Sequence, residues 1–467
     1  MKSCKFIISI IFLLNFSIHI YSQGLKIFIS GDSADVKRIN FVFLAEGYTQ
    51  QEQQKFISDV RFIKDGVFST KPYKEYASYF NVWAIFVASL ESGADHPLQN
   101  IYKNTYFEAT FGTTTERLVT IKNSSKVWEL LSIYVPEYDI VCVLVNDSQY
   151  GGMGGNYSVA TVHSSSVGLV LHETGHSFVR LADEYESAYT LTPSEHANVT
   201  AQTQREKIRW NAWILPQTPI PTPETNEYAN VVGLFEGAIY QTSGWYRPKL
   251  NCMMRNLGVP FCEVCTEEHI VKFYSRVSPI ISKVPQSDTV YIDSKNTAKL
   301  SLISRAPQPN TLKKSWYVNG VLISAKDTFT LDTFTIINQI NKVSAKVTDT
   351  TELVKIPINK TKLQDSVSWI VIRKKETKSF AHISNNALEN LHVKISKGKI
   401  TLFGFSQIKQ ELNLRVFNSK GALIYKDRYK IEKSGDFVYC IKNLQSSIGI
   451  YYLKINNRIL FVPFINY

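Results

Sequence analysis

His172-Glu173-Thr174-Gly175-His176 constrains this chain more than any other stretch of its 467 residues. Histidines four residues apart share one face of a helix, so both imidazoles can reach one ion. Glu173 lies one step round, where its carboxylate can hold a water molecule against that ion. Zn²⁺ lowers the pKa of such a water towards ~7 and polarises a carbonyl, leaving Glu173 to take the proton and pass it to a departing amine. The apolar run 167–171 precedes the motif and follows three serines suited to capping a helix. The expectation is a helix anchored in a core and ending in a metal site, the arrangement of a metallopeptidase.

A catalytic zinc takes three protein groups and leaves one position open. Asp183 lies eleven residues after His172, about 16 Å along a straight helix. It can be the third ligand only if the helix stops soon after His176 and the chain turns back. Glu184 is the fallback, then Glu186 or Glu195. A closed structural zinc site normally needs four Cys or His ligands, and the other nearest histidines, His163 and His196, do not complete one in the sequence. Downstream, Cys262-Glu263-Val264-Cys265 has no second Cys-x-x-Cys and no thioredoxin-like context. In an exported protein it reads as part of one disulfide, Cys252 with Cys262 or Cys265, and Met253-Met254 reads as core packing.

Export is expected from residues 1–22. Lys2 and Lys5 precede the apolar run 6–20, and Ser22 supplies a small residue for cleavage, the pattern of a secretory signal peptide. The run is short for a bilayer span and is interrupted by Asn15 and His19. Six cysteines are too few for a disulfide scaffold. The formal charge of +12 is unevenly placed: from Thr361 onward 18 Lys and Arg face 7 Asp and Glu, which leaves residues 23–360 near neutral. No helix-turn-helix, zinc-finger or RNA-binding signature accompanies the basic end, so no nucleic-acid partner is expected.

Residues 25–44 read as two strands, and Thr49-Gln50-Gln51-Glu52 has capping-box spacing ahead of Phe56, Val60, Ile63 and Val67 at helical intervals. The runs 80–90, 138–145 and 158–162 read as further strands. Gly151-Gly152-Met153-Gly154-Gly155 lacks dinucleotide-fingerprint spacing and is either a plain loop or a close approach of backbone to a ligand. Strands alternating with helices predict an α/β catalytic domain over 23–277. Short alternating strands with Trp316 predict an immunoglobulin-like sandwich over 278–360, then a basic linker over 361–384 and a second small all-β sandwich over 385–467. The 25 Tyr and 26 Phe also favour β-structure.

His172, Glu173, Gly175, His176, Leu181, Asp183, Glu184 and Tyr185 together resemble the IgA-peptidase family of zinc metallopeptidases. Glu46-Gly47-Tyr48-Thr49, Glu91-Ser92-Gly93-Ala94-Asp95-His96-Pro97, Gly233-Leu234-Phe235-Glu236-Gly237-Ala238 and Tyr246-Arg247-Pro248 add to the resemblance, which covers roughly residues 25–275. It implies a metzincin-like domain, Asp183 as third ligand and a methionine turn beneath the metal, with Met254 its candidate. Arg180 stands where the family usually has Gly, the residue suited to a left-handed turn. Immunoglobulin cleavage is not read from any residue. The C-terminal segment resembles the sorting domains of the type IX secretion system of Bacteroidetes, through Leu414-Arg415-Val416-Phe417-Asn418 with Gly421 and through residues 449–455; it lacks an Asn-Pro start and ends in Phe464-Ile465-Asn466-Tyr467.

The function expected is that of a secreted or cell-surface zinc metalloendopeptidase, a monomer acting on protein or glycoprotein, with the type IX machinery as export partner. The alternative is a surface protein binding glycan or host protein through its sandwiches, with a metallopeptidase-like domain no longer active. The intact Glu173 argues against that alternative, because an inactive relative has no need of the base.

Overall fold

The apolar runs of the N-terminal half become the strands of one sheet. In chain order these elements are β1 (Leu25–Ser30), β2 (Ile39–Glu46), α1 (Gln53–Ser69), β3 (Phe80–Phe86), a ribbon of β4 (Ala109–Phe111) and β5 (Val119–Ile121), α2 (Ser124–Tyr134), β6 (Ile140–Val145), β7 (Gly152–Met153), β8 (Ser158–Thr161) and α3 (Ser166–Thr174). The computed structural model describes residues 24–188, 192–293, 297–332, 336, 338–373, 388–396, 399–407, 409–417, 422–441, 449–455 and 458–464. The signal peptide expected over 1–22 lies outside them. Among them no helix is long and apolar enough to cross a membrane.

The sheet order is β1-β3-β2-β6-β8-β7, with β2, β3, β6 and β8 parallel and β1 and β7 antiparallel at the edges. Every residue of β2 and β6 is buried, as expected of strands covered on both faces. Thr49 and Glu52 form the capping box, with the Thr49 N–H donating to Glu52 Oε2 at 2.8 Å. Phe56, Val60, Ile63 and Val67 of α1 pack with Leu169, Val170 and Leu171 of α3 and with Phe41 and Phe43 of β2. The alternate residues Val42 and Leu44 meet Val127, Leu130 and Leu131 of α2 on the other face. Each such side chain contributes roughly 1.5–3 kcal/mol by leaving water, and α3 is thereby fixed against the sheet.

The expected α/β metzincin-like catalytic domain is not what the chain forms, and the fold class is corrected. Strand takes 38% and helix 20%, with five α-helices in all among the described residues. Among the described residues the strands fall into seven separate sheets, most of them small. The alternation of strand and helix stops at Thr174. From there to α4 (Glu263–Tyr274) the described chain holds a π-helical turn, short 3₁₀ turns and a two-stranded ribbon, Phe235–Ala238 with Gln241–Arg247. Four prolines over 215–223 remove helix donors and clash with preceding carbonyls.

The chain divides into two compact units, one ending at Lys374 and one spanning Lys375–Tyr467. In the first, a three-stranded sheet (Ile280–Val284, Ala298–Ser304, Thr328–Leu331) and a five-stranded sheet (Thr289–Ile292, Gln364–Arg373, Ile340–Asp349, Leu312–Val318, Val321–Ser324) share a core around Trp316, Phe329 and Trp369. This part is tied to the site-bearing part by Tyr76 and Tyr274, whose hydroxyls donate to Asp349 Oδ2 at 2.6 and 2.8 Å. Glu267 of α4 also accepts from the Lys355 N–H and from Asn359 Nδ2, at 2.9 and 2.8 Å. Gln364–Arg373, expected within a linker, is instead a strand pairing with Ile340–Asp349; the rest of that linker, 374–384, lies outside the described residues. In the second unit, a three-stranded sheet (Leu388–Ser396, Lys399–Ser406, Gly435–Ile441) accompanies a four-stranded one (Leu423–Ile431, Gln410–Phe417, Gly449–Ile455, Arg458–Phe464). Gln410–Phe417 and Gly449–Ile455, which hold most of the resemblance to sorting domains, are adjacent antiparallel strands. Asn418, Gly421 and the chain's last three residues lie outside the described ones.

Candidate active site

The turn after the motif decides whether Asp183 reaches the histidines. α3 ends at Thr174, and Gly175–Val179 forms a π-helical turn. Arg180 then adopts φ 72° and ψ 33°, the left-handed conformation, which costs a non-glycine residue roughly 1–2 kcal/mol. The Leu181 N–H closes the turn on Gly175 O at 3.0 Å. The chain therefore doubles back, and the 16 Å separation of a straight helix never arises.

Three ligand atoms converge as a result. His172 Nε2 and His176 Nε2 are 3.1 Å apart, and Asp183 Oδ1 lies 3.1 and 3.2 Å from them. Bonds of about 2.0–2.1 Å to a tetrahedral ion would give edges of about 3.3 Å. Each ring's other nitrogen faces a carbonyl: His172 Nδ1 lies 2.9 Å from Met253 O, and His176 Nδ1 lies 2.8 Å from Leu181 O. A carbonyl only accepts, so Nδ1 carries the proton and Nε2 turns its lone pair inward. Asp183 Oδ1 is buried with no hydrogen bond of its own. This donor set fits a divalent metal. Burial opposes the Asp183 carboxylate, yet the two imidazoles hold it well below its usual range. Burial likewise opposes charge on His176, but Asp183 and Glu173 push its pKa up to about 9, so Nε2 offers its lone pair to an ion only by giving up a proton to it.

Glu173 lines the same cleft, of about 780 Å³, along with Arg117, Tyr150, Tyr185 and Tyr240. Burial raises its carboxyl above the ordinary range, against the pull of the two imidazoles. The glycine loop approaches a side chain of the site closely: a Cβ on Gly154 would stand 2.4 Å from Glu173 Oε2. A Cβ on Gly175 would stand 2.6 Å from Met254 Sδ, so the glycine inside the motif leaves room for the buried methionine packed against it.

Other candidates are placed elsewhere. Glu186 pairs with Arg247 and Arg255 at 3.4 and 3.6 Å. Glu195 accepts from the Ala201 N–H at 2.8 Å. His163 Nδ1 accepts from the Ser165 N–H at 3.1 Å, and His196 Nδ1 faces Arg180 O at the same distance. Glu184 turns away from the histidines towards Cys252, Cys262 and Cys265. Those thiols are free, with Cys252 Sγ and Cys265 Sγ 3.6 Å apart, which corrects the expected disulfide. Glu46 is a structural clamp, accepting from the Phe107 and Ala109 N–H groups, both at 2.8 Å.

Tyr240 is a site residue that the sequence does not announce. Its hydroxyl donates to Asp183 Oδ2, and its backbone N–H reaches Tyr185 O at 2.9 Å. It lies 57 residues after Asp183 with no motif around it, so no spacing signal could have found it. Tyr240→Phe is expected to weaken metal affinity about 10–100-fold, the usual effect of losing an outer partner of a ligand. Metal competition against a calibrated chelator measures this, and an unchanged affinity would remove Tyr240 from the site.

Residues 25–228 and 224–272 match the model of the IgA Peptidase M64 family, more than half of the chain. The chain belongs to the IgA peptidase M64 family. That family is one of metallopeptidases. No match was found for this M64 chain among curated proteins. Among solved structures, it is similar to a Parabacteroides merdae β-glucuronidase at 9% identity over 47% of this chain and 28% of that one, with a TM-score of 0.15. It is similar to fibronectin(III)-like modules of Clostridium thermocellum CbhA at 11% identity, over 40% and 93% of the two chains, with a TM-score of 0.15. Latent PorU from Porphyromonas gingivalis matches at 7% identity, over 39% and 19%, with a TM-score of 0.14. The M64 chain spans less than a third of the β-glucuronidases it matches, and TM-scores this low carry no argument.

Proposed function

We propose that this M64 chain is a secreted zinc endopeptidase in which His172, His176 and Asp183 hold the metal and Glu173 is the general base. The observation that carries the reading is the convergence of two Nε2 atoms and one buried, unbonded carboxylate oxygen within 3.2 Å of one another. Zinc, when bound, supplies a Lewis acid that acidifies water and polarises the scissile carbonyl.

Glu173 accepts a proton from the attacking water and delivers it to the departing amine nitrogen. Its raised pKa favours keeping that proton between the two transfers. The Met253 and Leu181 carbonyls hold the imidazole tautomers, and Tyr240 orients the Asp183 carboxylate. The substrate is a protein or glycoprotein, whose scissile bond would lie in the cleft of about 780 Å³ that Glu173 lines. Residues 1–22 direct export and the second unit serves type IX secretion, delivering a monomer to the cell surface or medium.

Incubation with a strong chelator is expected to reduce cleavage of a peptide library to background, and added zinc to restore it. Full cleavage after the metal has been removed would overturn the proposal.

A further inference from the structure

Fully buried Cys252, Cys262, Cys265 and Glu184 bring their ligand atoms within 4.8 Å of one another. We propose that these four side chains form a second metal site, structural and thiolate-rich, that holds one zinc ion per chain independently of the histidine site. The spacing fits. Zn–S bonds of about 2.3 Å give a tetrahedral edge of about 3.8 Å, against 3.6 Å between Cys252 Sγ and Cys265 Sγ. A disulfide would bring two sulfurs to about 2.05 Å and leave the third thiol buried beside a carboxyl. Cys265 Sγ lies 3.1 Å from Glu184 Oε1, and Glu184 Oε2 is buried with no hydrogen-bond partner. A buried polar oxygen left so is destabilising unless something occupies it.

The surroundings suit anionic ligands. The Cys262 N–H donates to Cys252 Sγ at 3.3 Å, and the Cys265 N–H to Cys262 Sγ at 3.5 Å, where Cys262 caps the first turn of α4. Asn198 Nδ2 donates to Glu184 Oε1 at 2.9 Å. The thiols and the Glu184 carboxyl give up their protons as the ion binds, and three thiolates with one carboxylate give the same net charge as a Cys₄ zinc centre. The ion would tie three segments together. Glu184 follows Asp183 directly, and its N–H donates to Met254 O at 2.8 Å; Cys252 lies two residues before Met254, and Cys262 and Cys265 belong to the start of α4. Ordering that junction fixes Asp183 and the carbonyl of Met253 relative to the histidines.

Zinc counted by mass spectrometry on the purified full chain is expected at two per chain. A His172→Ala/His176→Ala variant should keep one, and a Cys262→Ser/Cys265→Ser variant should lose one. Should the cysteine variant not fold, cobalt loaded into the histidine variant provides a second readout: an intense sulfur-to-cobalt charge-transfer band in the near ultraviolet supports thiolate ligation. A histidine variant without metal and without that band overturns the site. So does an intact mass, without reductant, that shows two hydrogens lost to a disulfide among these cysteines. If the wild type holds one zinc that the histidine variant retains, the second site stands and the peptidase metal site falls.

Discussion

Glu173→Gln is expected to lower kcat for peptide hydrolysis about 10²–10⁴-fold, the range that a positioned general base supplies, while the zinc content stays unchanged. The amide matches the carboxylate in size, so the fit beneath Gly154 survives, but it cannot take up a proton. No neighbour can replace it: Asp183 is held well below the usual carboxylate range and faces the two imidazoles. A drop in kcat with little change in KM, alongside metal analysis, is the discriminating measurement. Undiminished turnover in the variant would take Glu173 out of the chemistry.

Asp183→Ala should produce the largest loss of metal from the histidine site. It deletes one of the three proposed protein ligands, so the affinity loss should exceed the roughly 10–100-fold typical of an outer partner, and hydrolysis should fall with occupancy. Glu184 cannot rescue it. Its backbone N–H is bonded to Met254 O and its carboxyl is turned to the cysteines. Asp183→Asn would keep the Tyr240 contact in part while removing the charge, and should rank between the wild type and the alanine variant. Calorimetric titration of zinc into metal-free protein measures the series. Full affinity in Asp183→Ala would transfer the third-ligand role to another group.

Much of the site is legible in the residue order because it is local. His172, Glu173 and His176 sit at helical spacing, and one helix is enough to bring them together. The capping box at Thr49 and the buried face of α1 are legible for the same reason. Extrapolation is what fails. The strand–helix alternation that ends at Thr174 does not continue to 277, although the proline-rich stretch and the abundant aromatics already favour loops and strands there. The linker expected from basic composition is partly Gln364–Arg373, a strand in the five-stranded sheet. Trp369 and Val371 are buried in it while Ile370 between them is exposed, the alternation of a half-solvated strand.

Two imidazoles and a carboxylate within five residues are dictated by residue order, since α3 runs on into the π-helical turn that carries His176 and a continuous helical backbone leaves little choice of where they point. Asp183, Tyr240 and the cysteine cluster are another matter. Their positions depend on a left-handed Arg180, on a ribbon turn 57 residues away and on a junction between three distant segments. Long-range packing and backbone hydrogen bonding decide such contacts, and no periodicity in the chain encodes them.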